Sequence, residues 1–264
     1  MLVEQIWTGN SLRNFNYLIA CPDTGEALAI DPLDHVKCLN VAQQRGWQIT
    51  QVLNTHEHGD HTGGNQAVIQ ETGAKLLAHY GASAKIAGMD VGLRAGDIVR
   101  VGTSVELEAL DTPGHTMSHV CMLSHTDQPG LFSGDTLFNA GAGNCHGGGH
   151  PEELYETFAN QLAKLPTNTK IYPGHDYLVN NLEFTLNREP DNRDAKVLLE
   201  ELQQNHDPDE CMITELVQEQ QINTFLRLRS PSVIETLRES FTDLPDAPTP
   251  KEVFLRLREL RNSW

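Results

Sequence analysis

Five histidines and two aspartates stand in four short motifs, and together they form a donor set suited to metal ions. The first motif covers residues 55–61 with the sequence Thr-His-Glu-His-Gly-Asp-His, and the other three contribute one candidate each. The seven candidate ligands are His56, His58, Asp60, His61, His115, Asp135 and His175. Imidazole nitrogens and carboxylate oxygens without thiolates suit zinc, ferrous iron or manganese, and the residue types do not choose among these metals.

The spacing within the first motif predicts two metal sites. Side chains two residues apart in an extended segment point to the same side, so His56 and His58 can bind one ion together. A turn at Gly59 would direct Asp60 and His61 towards a second ion.

The other three motifs supply the remaining ligands of these two sites. We expect His115 to complete the first site and His175 the second, while the two oxygens of Asp135 bridge both ions. Two ions about 3.5–4 Å apart can share one hydroxide, because a bound metal lowers the pKa of water to about 7. Asp60 and Asp135 would then be catalytic as ligands that orient this hydroxide, and no protein side chain acts as the nucleophile.

The elements that position these motifs are predicted from hydrophobic patterning. Each motif follows a segment typical of a β-strand, such as the alternating residues 105–110, so the ligands should lie at strand ends. The predicted strands are residues 14–20, 26–30, 49–53, 105–110, 119–124, 131–133 and 170–172. Helices are predicted at residues 36–45, 65–72 and 151–165, and after residue 177 only helices, at 179–188, 193–204, 212–220, 231–240 and 251–262.

The four motifs resemble those of the metallo-β-lactamase superfamily and, within it, the hydroxyacylglutathione hydrolases (glyoxalase II). The superfamily resemblance covers about residues 5–177, and the hydrolase resemblance continues into the C-terminal helices. It implies an α/β (α+β) fold, with an αββα sandwich over residues 1–177 and a smaller all-helical, substrate-binding domain over residues 178–264. It also implies hydrolysis of S-D-lactoylglutathione to glutathione and D-lactate by two divalent ions, Zn²⁺ first among them, in methylglyoxal detoxification.

The same resemblance implies a set of substrate contacts. Tyr177 matches a tyrosine that contacts glutathione, while Arg258 and Arg261 fall in a stretch that grips the glycine carboxylate of glutathione. The alternative is a solvated helix face on which both arginines pair with nearby acids. Related enzymes usually carry Lys or Arg in place of Asn144, and many carry an aromatic residue in place of His146. The missing cation predicts weaker binding of the usual substrate or an altered acyl preference.

Other functions are compatible with the same motifs. A mono-iron persulfide dioxygenase would use His56, His115 and Asp135 as a two-histidine, one-carboxylate triad. Such enzymes typically have Gly-Arg-Thr-Asp after the Gly-Asp motif and lack the C-terminal helices, whereas this chain has Asn-Cys-His at residues 144–146. A metallo-β-lactamase-fold hydrolase of another ester or thioester, and a non-catalytic binding module on this scaffold, are further alternatives.

The glycine-rich residues 141–150 form the least ordinary stretch of the chain. We interpret them as a substrate-facing loop, with a further metal site at Cys145, His146 and His150 as the less favoured reading. His119, four residues after His115, is expected to orient a ligand rather than to bind metal itself.

Composition and charge limit the class of protein and its partners. The chain has 264 residues, of which 39% are hydrophobic and 21% charged, and a formal net charge of −17 that works against nucleic-acid binding. Residues 223–264 contain seven basic and six acidic residues, so this acidic chain has a cationic end that suits a small anionic substrate.

The sequence also suggests where the protein works. No apolar run approaches the roughly 20 residues that span a bilayer, and the N-terminus does not resemble a signal peptide. Five scattered cysteines fit a reducing compartment. We therefore expect a cytoplasmic monomer or weak homodimer that binds a small glutathione thioester and neither nucleic acid nor membrane.

Overall fold

Two facing β-sheets form the centre of the computed structural model, which describes residues 1–205 and 211–264. In the first sheet the strands are adjacent in chain order: β1 (Leu2–Trp7), β2 (Phe15–Ala20), β3 (Glu26–Ile30), β4 (Gln48–Asn54), β5 (Lys75–His79) and β6 (Val91–Leu93). Its first three strands are antiparallel, and β3 to β6 are parallel.

The second sheet is built from later segments of the chain. Its strands are β7 (Ile98–Val101), β8 (Val105–Asp111), β9 (Val120–Ser124), β10 (Gly130–Gly134), β13 (Lys170–Pro173) and β14 (Thr214–Glu215). They are adjacent in the order β14-β13-β10-β9-β8-β7. A separate two-stranded ribbon consists of β11 (Leu137–Phe138) and β12 (Gly141–Ala142).

Helices cover the outer faces of both sheets. The helices of the described residues are α1 (His35–Arg45), α2 (Gly59–Thr62), α3 (Asn65–Thr72), α4 (Pro151–Asn160), α5 (Leu178–Arg188), α6 (Arg193–Asn205), α7 (Leu216–Ile222), α8 (Pro231–Ser240) and α9 (Pro250–Arg261). None of the helices in the described residues is long and apolar enough to cross a membrane.

The apolar core has layers that follow from strand alternation. In β2, Phe15, Tyr17 and Ile19 face the core between the sheets, because alternate side chains point to opposite faces of a strand. Leu18 and Ala20 of the same strand join the core beneath α1 and α3. A third core lies between the second sheet and α4, α5, α8 and α9. This layering confirms the predicted αββα sandwich.

The three strands of the second sheet that precede ligand motifs, β8, β10 and β13, end on the same side of the molecule. Strands β8 and β10 both pair antiparallel with β9, so they run in the same direction, and β13 is parallel to β10. Their C-terminal ends therefore lie together, and this confirms the prediction that the ligands lie at strand ends.

The structure departs from the predicted elements at several points. Strands β5, β6, β7, β11 and β12 were not predicted. The helix expected over residues 151–165 ends at Asn160 and is followed by a 3₁₀ turn at Leu162–Lys164. The expectation of helices alone after residue 177 is wrong, because Thr214–Glu215 pairs with β13. A two-residue strand depends on this tertiary pairing and has no local pattern. The boundary at residue 177 stays a prediction, since one core contains residues from both sides of it.

Candidate metal centre

The first candidate metal group consists of three histidine rings. His56 Nε2 lies 3.0 Å from His58 Nδ1, and His115 Nε2 lies 3.0 Å from the same His58 atom. Two donors bound at about 2.0–2.1 Å to one tetrahedral ion lie about 3.3 Å apart. The three rings therefore converge as the ligands of a single ion would, which agrees with the predicted first site.

The second candidate group contains a carboxylate and two rings. His61 Nε2 lies 3.2 Å from His175 Nε2, and both nitrogens lie 3.5 Å from Asp60 Oδ2. The turn after His58 is the short helix α2, which begins at Gly59 and places Asp60 and His61 on this side. The residues predicted for the second ion are thus brought together.

Asp135 lies between the two groups. Its Oδ2 is 3.2 Å from His175 Nε2 and 3.5 Å from His115 Nε2, while its Oδ1 is 3.4 Å from His61 Nε2. The Oδ1 atom is buried and has no hydrogen-bond partner in residues 1–205 and 211–264. A buried charged oxygen without a partner is costly, so this position fits a bound cation.

Burial keeps two rings of the first group in the form that binds metal. It lowers the pKa of His56 well below the usual value, and it also lowers the pKa of His115. A histidine must be neutral to coordinate an ion. These two rings are therefore ready to bind metal at neutral pH without releasing a proton.

Carboxylates have the opposite effect on the second group. Burial alone would lower the pKa of His61, but Asp135 and Asp31 raise it to about 9. Asp135 likewise raises the pKa of His175 against the effect of burial. The negative potential that holds these protons is the potential that would attract a divalent cation.

The glycine-rich loop orients two rings of the first group, those of His58 and His115. His58 Nε2 lies 3.2 Å from the carbonyl oxygen of Gly147, and His115 Nδ1 lies 2.6 Å from that of Asn144. A ring nitrogen that donates to a carbonyl leaves the other nitrogen free for metal. The loop thus sets the orientation of two ligands.

Asp31 fixes the second group and was not identified from the sequence. Its Oδ2 accepts hydrogen bonds from the Thr55 hydroxyl at 2.6 Å and from His61 Nδ1 at 2.9 Å. The Thr55 oxygen lies 3.0 Å from His56 Nδ1, so the same carboxylate also supports the first group. The available signal was an acid at the end of a buried strand, next to the strand that carries the first motif.

His119 occupies the orienting position expected for it. Its Nε2 accepts the backbone N–H of Asp135 at 3.2 Å, and its ring stacks on His56 with centroids 5.3 Å apart. The groups of potential ligands found in residues 1–205 and 211–264 do not include it.

The loop glycines permit close packing against the ligands. A side chain at Gly143 would collide with the carbonyl of Asp135, and one at Gly147 would collide with the His58 ring. The loop therefore packs on the metal centre as well as bordering a cavity. The ligand groups of the described residues contain none of the residues considered for a further metal site, namely Cys145, His146 and His150.

A cavity of about 320 Å³ lies beside the centre. Its lining includes all five predicted substrate residues, Asn144, His146, Tyr177, Arg258 and Arg261. The Tyr177 ring stacks on the His175 ring with centroids 4.9 Å apart, so the cavity borders the second metal group.

Arg258 and Arg261 of α9 differ in their surroundings. Arg258 is 3% exposed, and its Nη1 donates to the carbonyl oxygens of Ala142 and Gly143 at 2.8 and 2.9 Å. Arg261 Nη2 donates to Asn181 Oδ1 at 3.0 Å. Burial lowers the pKa of Arg258 to about 10, which still leaves it charged at neutral pH.

The alternative of a solvated arginine face is wrong. The ion pair with Glu259 is made by Arg256, which also pairs with Asp243. Arg258 instead supports the backbone of the glycine-rich loop just before Asn144. Its structural role was not predicted, because the carbonyls it binds lie more than a hundred positions earlier in the sequence.

Trp264 is a further cavity residue that the sequence did not reveal. Its Nε1 donates to Asn180 Oδ1 at 3.0 Å, and its ring meets Phe184 edge-on with centroids 5.6 Å apart. Together with Arg261 it lines the cavity. No motif marks it.

Comparisons with known proteins divide the chain into two parts. Residues 16–175 match the metallo-beta-lactamase superfamily, and residues 176–264 match the hydroxyacylglutathione hydrolase C-terminus. Hydroxyacylglutathione hydrolases of Polaromonas sp. (strain JS666 / ATCC BAA-500) and Nitrosococcus oceani are 67% and 63% identical over 264 residues, with all of both chains covered. The crystal structure of ETHE1 from Myxococcus xanthus is 25% identical with a TM-score of 0.68, covering 100% of this chain and 99% of that one.

Proposed function

Because this chain belongs to the hydroxyacylglutathione hydrolases of the metallo-β-lactamase superfamily, we propose that it hydrolyses its thioester at a centre of two divalent ions. The protein is a metal-dependent hydrolase that acts on hydroxyacylglutathione thioesters. The substrate we propose is S-D-lactoylglutathione, with glutathione and D-lactate as products.

The observation that carries the two-ion proposal is the position of Asp135. Its two oxygens face both ligand groups, so one carboxylate can serve two ions. His56, His58 and His115 would hold the first ion, and Asp60, His61 and His175 the second. When bound, such ions polarise a carbonyl and lower the pKa of water to about 7, which supplies a nucleophile at neutral pH. Zn²⁺ is the metal we propose, and iron or manganese would suit the same donors.

The side chains of the protein have separate tasks in this reaction. The carboxylates of Asp60 and Asp135 can accept hydrogen bonds from the O–H group of the attacking water or hydroxide and so orient it. The leaving group is a thiol, whose pKa of about 8.5 lets it depart as a thiolate with little protonation. A dedicated general acid is therefore not required.

The cavity beside the centre is the proposed glutathione site. Tyr177 lies between the metal ligands and this cavity, and the charges of Arg258 and Arg261 can attract a carboxylate. Asn144 and His146 line the side formed by the glycine-rich loop. The cytoplasmic location and the monomeric or weakly dimeric state stay predictions.

A thioester panel on metal-analysed protein tests this function. We expect about two ions per chain, release of thiol from S-D-lactoylglutathione, and no oxygen uptake with glutathione persulfide. A matched variant, His58→Ala, should lose hydrolysis because it removes a ligand of the first ion. A dioxygenase triad of His56, His115 and Asp135 would not use His58, so such an enzyme should stay active. One bound iron, oxygen uptake and an active His58→Ala variant would together identify the dioxygenase instead.

A further inference from the structure

The loop between β1 and β2, residues 8–14, packs against His175 of the second metal group. The carbonyl oxygen of Leu12 lies 2.7 Å from His175 Nδ1, which fixes that ring. The Asp176 N–H donates to the carbonyl oxygen of Arg13 at 2.9 Å, and Asn14 forms a β-bridge with His175. This loop lies outside the four ligand motifs, yet it holds one of their ligands directly.

The side chain of Asn14 reaches two of the three candidate ligands of the same group, Asp60 and His175. It is completely buried, and its Nδ2 lies 3.1 Å from Asp60 Oδ2 and 3.2 Å from the Asp60 carbonyl oxygen. The same nitrogen lies 3.4 Å from His175 Nε2. Asp60 Oδ2 is the oxygen that faces the ring nitrogens of His61 and His175. Asn14 thus donates to the atom that would bind the ion.

Hydrogen bonds to Asn10 determine which end of the Asn14 amide faces Asp60. The backbone N–H of Asn14 can only donate, and it points at Asn10 Oδ1 at 3.1 Å. The amide nitrogen of Asn10 must then face Asn14, where it donates to Asn14 Oδ1 at 2.8 Å. Since the Asn14 oxygen is used in this way, its NH₂ group is directed at Asp60. The amide is therefore a fixed donor to the carboxylate and not a metal ligand.

We propose that Asn14, locked by Asn10, is a positioning residue that sets the Asp60 carboxylate for the second ion. The inference rests on the proposed two-ion function. The side-chain bonds of Asn14 reach Asp60 and His175, which both belong to the second group. Loss of the donor should therefore weaken the second ion and leave the first nearly unchanged. Removing such an outer partner of a ligand typically costs about 10- to 100-fold in metal affinity.

The test measures the affinity of each ion separately, by chelator competition followed by metal analysis. Asn14→Ala should weaken the second ion about 10- to 100-fold, with the first ion changed less than about twofold. Asn14→Leu, of similar size, should weaken it to a similar extent, because leucine fills the same space and also lacks the N–H donor to Asp60. Asn10→Ala should have a smaller effect in the same direction, and this half-exposed site keeps the test usable if the Asn14 variants do not fold.

The matched control is Asn192→Ala, which removes a buried asparagine amide from the connection between α5 and α6. It should lower the melting temperature without separating the two metal affinities. A wild-type protein that binds fewer than two ions would contradict the proposed function itself. A wild-type protein with two ions, whose Asn14 variants lose both equally or neither, would overturn this inference alone.

Discussion

The two groups of candidate ligands are held in place by different parts of the molecule. His58 and His115 of the first group rest on carbonyls of the glycine-rich loop, which also lines the cavity. His61 of the second group rests on the buried Asp31 carboxylate at the end of β3. The first group is therefore coupled to the substrate side of the molecule, whereas the second is anchored in the core and the N-terminal loop.

The groups also differ in charge. The first group contains three histidines and no carboxylate, and burial lowers the pKa of His56 and His115. The second is surrounded by carboxylates, which raise the pKa of His61 to about 9. A proton and a metal ion compete for the second group over a pH range in which two rings of the first are already neutral. The difference predicts that the two ions respond differently to mutation and to pH.

The largest expected effect comes from Asp135, whose carboxylate faces both groups. Asp135→Ala should weaken both ions and abolish thioester hydrolysis, because it removes a carboxylate that faces each group. Metal analysis and a thiol-release assay measure the two outcomes. His58→Ala and His175→Ala serve as matched controls, and they should preferentially lose the first and the second ion respectively. Retention of both ions with near-normal turnover in Asp135→Ala would disprove the bridging role.

The second-largest expected effect is a difference in how the affinities of the two ions depend on pH. A raised pKa means that the ring holds its proton below that value, so a metal must displace the proton as the pH falls. The affinity of the second group should therefore decline below pH 9, by about tenfold per pH unit for each displaced proton. The affinity of the first group should change much less between pH 9 and pH 7. Dialysis at a series of pH values, followed by metal analysis, would contradict this if both ions left together.

The smallest effect should distinguish Arg258 from Arg261 in α9. Arg261→Ala should raise KM several-fold and leave kcat and metal content intact, because only substrate binding is lost. Arg258→Ala should also lower kcat, since it removes two bonds to the loop backbone that supports His115. Added salt should raise the wild-type KM, as screening weakens attraction to a carboxylate. Arg256→Ala, on the same helix and paired with Glu259, is the control and should change neither constant.

The sequence was most informative where ligands are close together in the chain. The order and spacing of His56, His58, Asp60 and His61 were sufficient to predict two groups, and the structure places them as expected. Asp31 and Asn14 were missed, because their partners lie 24 or more positions away and only the pairing of strands brings them together. The three strands of the second sheet that precede ligand motifs were predicted to within one residue at each end, because hydrophobic patterning is also a local signal.

The cavity was predicted only in part. Family resemblance identified Tyr177 and the two arginines, but it did not indicate that Arg258 would be buried against loop carbonyls. Trp264 was missed because a single aromatic residue has no period or motif. A cavity wall is formed by residues distant in sequence, so its composition depends on tertiary packing that a local pattern does not contain.

The short strand β14 has a consequence for how the chain can be divided. Its pairing with β13 covers backbone N–H and C=O groups that would otherwise lie at the open edge of the second sheet. Unpaired edges of this kind are templates for pairing with another chain. A fragment that ended at residue 177 would expose this edge, together with the apolar surface under α5, α8 and α9. We therefore expect such a fragment to aggregate rather than persist as an isolated catalytic domain. The C-terminal segment should prevent this aggregation in the whole chain, because it covers the edge and the apolar face of the second sheet.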